Sequence, residues 1–63
     1  DVDRAIDAAM LSGVGQITFI HGKGTGVLRS AVQQHLKIHP AIRKFRLGTY
    51  GEGESGVTIA ELA

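Results

Sequence analysis

The chain has 63 residues, which allow one domain with a small core, and folding at this length buries only ~60% of the surface that the unfolded chain exposes. The absence of cysteine excludes a disulfide framework and a thiolate metal site, and the apolar runs are too short for a membrane span or a signal peptide. The formal net charge is +1 and unevenly distributed, and we expect a single cytoplasmic domain over residues 1–63.

The amino end is predicted to form a helix followed by a strand. The helix has an acidic first turn, ends at Gly13 or Gly15, and has an apolar face formed by Val2, Ala5, Ile6, Ala9 and Met10. The strand is predicted over Gln16–Ile20, whose β-branched and aromatic residues are apolar on both faces, as in a central strand.

A second amphipathic helix is predicted over Val27–Ile38, with Thr25 as its cap. Pro40 disfavours helical geometry at His39, so the helix should end near that residue. The predicted apolar stripe of this helix consists of Leu28, Ala31, Val32 and Leu36.

Two β-rich runs close the chain, at Ile42–Leu47 and Val57–Leu62, with a glycine-rich loop between them. The first run alternates apolar and basic residues, which is typical of a half-buried strand. The order of elements predicts a two-layer α/β sandwich with an antiparallel final strand pair. Because a helix that opens such a unit normally follows a strand, a first strand is missing from the pattern.

The segment His21–Gly26, H-G-K-G-T-G, joins the first strand to the second helix. Its three glycines allow a backbone that presents N–H groups to a ligand, and the following helix adds its positive dipole end, so we predict a phosphate site. Lys23 supplies a charge, His21 a group that titrates near neutral pH, and Arg29 could reach back to the same anion. A structural His21 and a solvated Arg29 are the alternatives.

Three further patterns in the sequence resemble known ligand-binding motifs. Gly51–Gly56 matches G-x-G-x-x-G but precedes a strand, so it is a special turn or a second phosphate contact, not a dinucleotide fingerprint. The first loop is not a Walker A motif, because Gly24 follows Lys23 where serine or threonine is needed. The spacing of His35 and His39 suits a metal, but nothing completes a site, and we predict none there.

Charge is segregated along the chain. Residues 1–10 carry −2 and residues 47–63 carry −3, whereas residues 21–46 carry +6 and contain no carboxylate. A basic centre of this kind indicates a nucleic-acid surface, and a merely solvated basic face is the alternative.

His21–Gly26 with Leu28–Arg29, and Tyr50–Gly53 with Gly56–Ile59 and Glu61–Leu62, resemble the Smr (small MutS-related) domain, most of all the copy at the carboxyl end of the second bacterial MutS paralogue family. The resemblance implies a βαβαββ fold with a mixed sheet and two helices, similar to the carboxyl-terminal domain of translation initiation factor three. It implies nicking endonuclease activity on DNA, a role in suppressing homologous recombination and, in some members, RNA cleavage or rescue of stalled ribosomes. The family's first strand carries an L-D-x-R motif, and no such stretch precedes Val2.

The primary hypothesis is therefore hydrolysis of one phosphodiester strand, with His21 as general base or acid and with Lys23 and Arg29 as positive contacts to the phosphate. The residues predicted to bind nucleic acid are Gly22, Gly24, Thr25, Gly26, Arg43, Lys44, Arg46, Gly51 and Gly53. A divalent cofactor, Mg²⁺ or Mn²⁺, stays open because the carboxylates that could hold it are scattered.

The resemblance also implies tethering to a larger, homodimeric MutS-like ATPase chain that engages branched or duplex DNA. The alternatives to an enzyme are a non-catalytic module that binds DNA, RNA or a ribosome, and a protein-interaction domain with a structural glycine loop.

Overall fold

The computed structural model describes residues 1–63 and contains two helices and three strands. The helices are α1, Val2–Ser12, and α2, Val27–Ile38, and neither is long and apolar enough to cross a membrane. The strands are β1, Gln16–Ile20, β2, Ile42–Leu47, and β3, Val57–Leu62, with a single 3₁₀ turn at Glu54–Gly56 just before β3. The predicted two-layer α/β architecture is confirmed.

The strands form one antiparallel sheet in the order β1-β3-β2. The prediction that Gln16–Ile20 is the central strand is wrong for this sheet, since β3 lies in the middle and pairs with both neighbours. Central placement explains why Val57, Thr58, Ile59 and Ala60 are all buried, whereas residues of β1 alternate between exposed and half-buried. The outer edge of β1 has no strand beside it.

Both helices pack on the same face of the sheet, where the core lies. Its fully enclosed part consists of Ile6 from α1, Val32 and Leu36 from α2, and Ala60 from β3. Half-buried apolar side chains surround this cluster, among them Ile17, Phe19 and Phe45. With so few buried side chains, the stability of the domain also depends on its hydrogen-bonded polar groups.

The inward face of α2 differs from the predicted stripe. Val32 and Leu36 are buried, but Leu28 is 59% exposed and Ala31 is also exposed. Two polar residues, Arg29 and Gln33, are half-buried beside them. Positions 29, 32, 33 and 36 share one helix face, so the inward face of α2 combines apolar residues of the core with polar residues near the end of the sheet.

The ends of α2 are set by two backbone devices. His39 has extended geometry, with φ −81° and ψ 123°, as the following Pro40 predicts. At the amino end the cap residue is Gly26, not Thr25, because the chain enters the helix through a left-handed residue with φ 87°. The Thr25 hydroxyl still accepts a long hydrogen bond, 3.4 Å, from the amide of Val27.

Candidate phosphate-binding site

Two glycine-rich loops meet at one end of the sheet: the first glycine loop, His21–Gly26, and the second glycine loop, residues 48–56. Ile20 and Val57 are paired across β1 and β3, so the first loop leaves the sheet beside the point where the second loop enters it. The Gly56 carbonyl accepts both the His21 amide, at 3.1 Å, and the Gly22 amide, at 2.9 Å. The two motifs recognised in the sequence therefore form one continuous surface.

The His21 ring is held by a chain of hydrogen bonds beneath the first glycine loop. Its Nδ1 lies 3.0 Å from the Gly22 carbonyl oxygen, which can only accept, so Nδ1 carries the hydrogen. Nε2 then accepts from the Thr58 hydroxyl at 2.8 Å, and Thr58 Oγ1 in turn accepts from Gln33 Nε2 at 3.3 Å. Both ring nitrogens are occupied, and Thr58, which is fully buried, has its hydroxyl satisfied.

The first glycine loop presents unpaired amide donors. The N–H groups of residues 23–26 make no hydrogen bond within the chain, and neither do those of Leu28 and Arg29 in the first turn of α2. Gly22 is the exception among the predicted contacts, because its amide is already bonded to Gly56. A row of exposed amides beside the positive end of a helix dipole suits a phosphate or another anion.

Two cations border these amides. The Arg29 guanidinium folds back over Gly26, so that a Cβ atom added at residue 26 would lie only 2.8 Å from Arg29 Nη2. Arg29 forms no ion pair within the chain. Lys23 Nζ lies 3.9 Å from a Glu54 carboxylate oxygen, and since both side chains are more than half exposed this pair holds the ammonium only weakly. Glycine at 26 thus provides the positive φ and leaves the space that the guanidinium occupies.

The other predicted cations lie on β2 and are paired with carboxylates. Arg43 and Lys44 both contact the Glu61 carboxylate, at 3.0 and 3.6 Å. Arg46 makes a two-pronged contact with Glu52, at 2.8 and 3.2 Å. The structure therefore does not bring these three residues to the first glycine loop, and two carboxylates offset part of their charge.

Glu52 ties the second glycine loop to the sheet. Besides its bonds to Arg46, its Oε1 accepts from the Thr49 amide at 2.8 Å and from the Thr49 hydroxyl at 2.7 Å. The Arg46 guanidinium and these Thr49 donors lower the pKa of Glu52 to about 2. Gly51 and Gly53 lie in this loop with φ of 89° and 105°, and Val57 packs so closely on Gly53 that a Cβ there would clash at 2.7 Å. Both glycines shape the loop.

Three site residues were missed by sequence reasoning: Gln33, Thr58 in its hydrogen-bonding role, and Glu52 as an anchor. Gln33 lies outside the predicted apolar stripe of α2, but its spacing of four residues from Arg29 is a usable signal that the two share a face. Thr58 is a second such signal, because it is the one residue with a hydroxyl in the apolar run Val57–Ala60.

The chain holds no group of three or more His, Asp or Glu side chains arranged to bind a metal ion. His35 Nδ1 lies 3.9 Å from an Asp3 carboxylate oxygen, and His39 Nδ1 accepts from the Ala41 amide, so the two histidines have separate partners. The donor set of this chain alone does not fit Mg²⁺ or Mn²⁺, which need several oxygen ligands.

Three comparisons with known proteins agree on the family of this chain. The family model of the Smr domain matches residues 1–63. The chain is 63% identical to a protein named Endonuclease MutS2 from Caldicellulosiruptor saccharolyticus over 98% of its own length, and 61% identical to its namesake from Acetivibrio thermocellus over 97%. It spans only 8% of each of these relatives.

Among solved structures, the crystal structure of the Smr domain of Thermus thermophilus MutS2 superposes with a TM-score of 0.95 at 37% identity, covering 98% of this chain and 78% of that one. The resemblance to the MutS2 copy of the domain, first suggested by the two glycine motifs, is thus confirmed by family, relatives and fold alike, and the chain belongs to the Smr domain family.

Proposed function

We propose that this chain binds the sugar–phosphate backbone of nucleic acid at the joined glycine loops and hydrolyses one strand of DNA there. The observation that carries the proposal is the run of unpaired amides at residues 23–26, with the Arg29 guanidinium against Gly26 and the exposed Lys23 side chain on the same loop. The relatives' name, Endonuclease MutS2, supports the same chemistry.

The loop would act on the charge of the phosphate. The Gly56 carbonyl fixes the entry of the first loop through the His21 and Gly22 amides, so the unpaired amides of residues 23–26 need little rearrangement to receive the non-bridging oxygens, and the Lys23 ammonium approaches as a mobile charge. The Arg29 guanidinium can donate two parallel hydrogen bonds, which suits a phosphate better than a single-point contact. These groups stabilise the charge that develops on the phosphate as water attacks phosphorus and the ester oxygen leaves.

His21 is the group that we assign to proton transfer. Its Nε2 lone pair accepts the Thr58 hydroxyl in this structure, so removing a proton from the attacking water requires that this bond be exchanged. Mg²⁺ or Mn²⁺ would have to take its oxygen ligands from the substrate phosphates and water.

A non-catalytic binding module is the second candidate, and a specific observation favours it: both His21 nitrogens already have partners within the chain. In that case the same amides and cations hold the backbone, and His21 only keeps the loop in shape. Binding alone would still weaken with rising salt and show little base preference, because phosphates carry no sequence information.

Nicking of supercoiled plasmid, with and without EDTA, tests the proposal, with binding of the same DNA measured in parallel. Lys23→Ala should lower the nicking rate by ~10²–10³, the loss expected for one preorganised electrostatic contact. Arg4→Ala is the control that also removes one exposed positive charge, since Arg4 lies on α1, outside the two glycine loops, and this variant should nick normally.

His21→Gln separates the two candidate functions. A variant that binds DNA but no longer nicks supports proton transfer by His21, whereas tight binding without nicking by the unaltered chain supports the binding module. Nicking that survives Lys23→Ala unchanged would reject the site. RNA and ribosome substrates in the same assay test the wider roles that the family implies, and suppression of recombination requires the complete parent protein.

A further inference from the structure

A groove of about 510 Å³ runs between α2 and β2, beside the candidate site. It is lined by Ser30, Gln33, Gln34, Lys37 and Phe45. Its volume lies within the range of small-molecule sites, about 300–1,000 Å³, although the groove is open to solvent along its length. Its lining contains one aromatic ring, two amides, one hydroxyl, one ammonium and no carboxylate.

The groove begins at Ser30, one helical turn after the first glycine loop. Gln33 lines it and also donates to Thr58, the residue that holds the His21 ring. Ser30, at the near end, donates its backbone amide to the Gly26 carbonyl at 2.9 Å. A strand whose phosphate lies on the first loop could therefore continue along α2 toward Lys37 without crossing a ridge of the core.

Lys37 distinguishes this groove from the basic residues of β2. It makes no ion pair within the chain, whereas Arg43, Lys44 and Arg46 each contact a glutamate. Lys37 also lies in the last turn of α2, where a cation stabilises the negative end of the helix dipole. That role alone would predict an effect on stability and none on ligand binding.

We propose that this groove binds the single-stranded DNA that flanks the phosphate held by the first glycine loop. The Phe45 ring offers a surface on which a base can stack, Gln33 and Gln34 can donate to and accept from base edges, and Lys37 neutralises the next phosphate. The inference rests on the proposed function, because the groove guides a strand only if the first loop holds its phosphate.

Salt dependence of binding tests the role of Lys37. The dissociation constant of a short single-stranded DNA oligonucleotide is measured by fluorescence anisotropy over a range of salt concentrations. Lys37→Ala should reduce the slope of log affinity against log salt by about 0.7, the value for one phosphate contact on a single strand. Arg4→Ala should leave the slope unchanged, because Arg4 lies on α1, outside the groove and the first glycine loop, and far-UV circular dichroism should show that both variants, which alter exposed side chains, are folded.

Three outcomes would overturn the proposal that the groove binds single-stranded DNA. Equal slope changes in Lys37→Ala and Arg4→Ala would show that Lys37 contributes only general charge. A lowered melting temperature of Lys37→Ala with an unchanged slope would leave Lys37 only its role at the end of the helix. A slope change seen only with an RNA oligonucleotide would reject DNA as the ligand of the groove. Lys23→Ala separates this test from that of the proposed function. If Lys23→Ala weakens binding and Lys37→Ala does not, the groove proposal is rejected and the phosphate site is retained. If neither variant weakens binding, both proposals are rejected.

Discussion

The hydrogen-bond chain beneath the first glycine loop makes Thr58→Val the most informative substitution. Valine has the shape of threonine, so it keeps the packing of a fully buried residue but removes the hydroxyl that connects Gln33 to His21. Leaving buried polar partners unpaired costs ~1–3 kcal/mol, and because both partners are half-exposed and can recover water we expect about 1–2 kcal/mol. A domain of this length is stable by roughly 3–9 kcal/mol, so the loss is a large fraction.

Urea unfolding followed by far-UV circular dichroism measures this loss. With a slope of ~1 kcal/mol per molar urea, the midpoint should fall by about 1–2 M. A double-mutant cycle with Gln33→Met should give a coupling energy of ~0.5–1.5 kcal/mol, whereas a cycle of Gln33→Met with Ile59→Val, on the opposite face of β3, should be additive within ~0.5 kcal/mol. If Thr58→Val leaves the midpoint unchanged, or if both cycles are additive, the hydrogen-bond chain does not stabilise the site.

Three further predictions concern the loops. Gly26→Ala should lower stability by ~1–2 kcal/mol, because its φ is 87°, and should weaken oligonucleotide binding. Gly15→Ala, before β1, without positive φ and with open space around it, should do neither, as melting curves and anisotropy will show. Because the pKa of Glu52 is lowered to about 2, its stabilising contribution is complete above about pH 4.5 and is lost as pH falls from there toward 2. Urea midpoints measured against pH should therefore decline less in Glu52→Gln than in the unaltered chain or in Glu54→Gln, and equal declines would contradict the assignment. Glu54→Gln should also free Lys23 and raise oligonucleotide affinity up to ~5-fold, the equivalent of a surface pair of up to ~1 kcal/mol, and an unchanged dissociation constant would show that the pair does not restrain the ammonium.

The positions of the elements could be predicted because local signals specify them. Gln16–Ile20, Val27–Ile38, Ile42–Leu47 and Val57–Leu62 were predicted with the bounds that the structure has. Each is a periodic apolar run bounded by glycine, or by Pro40 with its effect on the preceding residue. Such signals act over a few residues of chain and need no knowledge of the tertiary fold.

The direction of the polar side chains could not be predicted in the same way. Gln33 lies outside the predicted apolar stripe of α2, and Arg29 kept solvation as an alternative to a phosphate contact, because hydrophobic periodicity ranks any polar residue as outward. Gln33 turns inward only because Thr58, which is 25 positions later in the chain, lies opposite it once β3 is in the sheet. Arg46 was predicted to bind nucleic acid for the same reason, since its carboxylate partner, Glu52, becomes close only when the turn after β2 has formed.

The pairing of β1 with β3 explains why the two glycine motifs belong together despite their separation in the chain. Antiparallel pairing of Phe19 with Thr58 places the end of one strand beside the start of the other, so the Gly56 carbonyl can accept two amides of the first loop. Those two bonds fix the first loop at its entry and leave the later amides unpaired. A one-residue slip would turn Thr58 to the opposite face of the sheet and bring Ile59 under His21, which would remove the hydrogen-bond chain and bury a ring nitrogen against an apolar side chain. The register of these strands is therefore specified by the polar site as well as by the core.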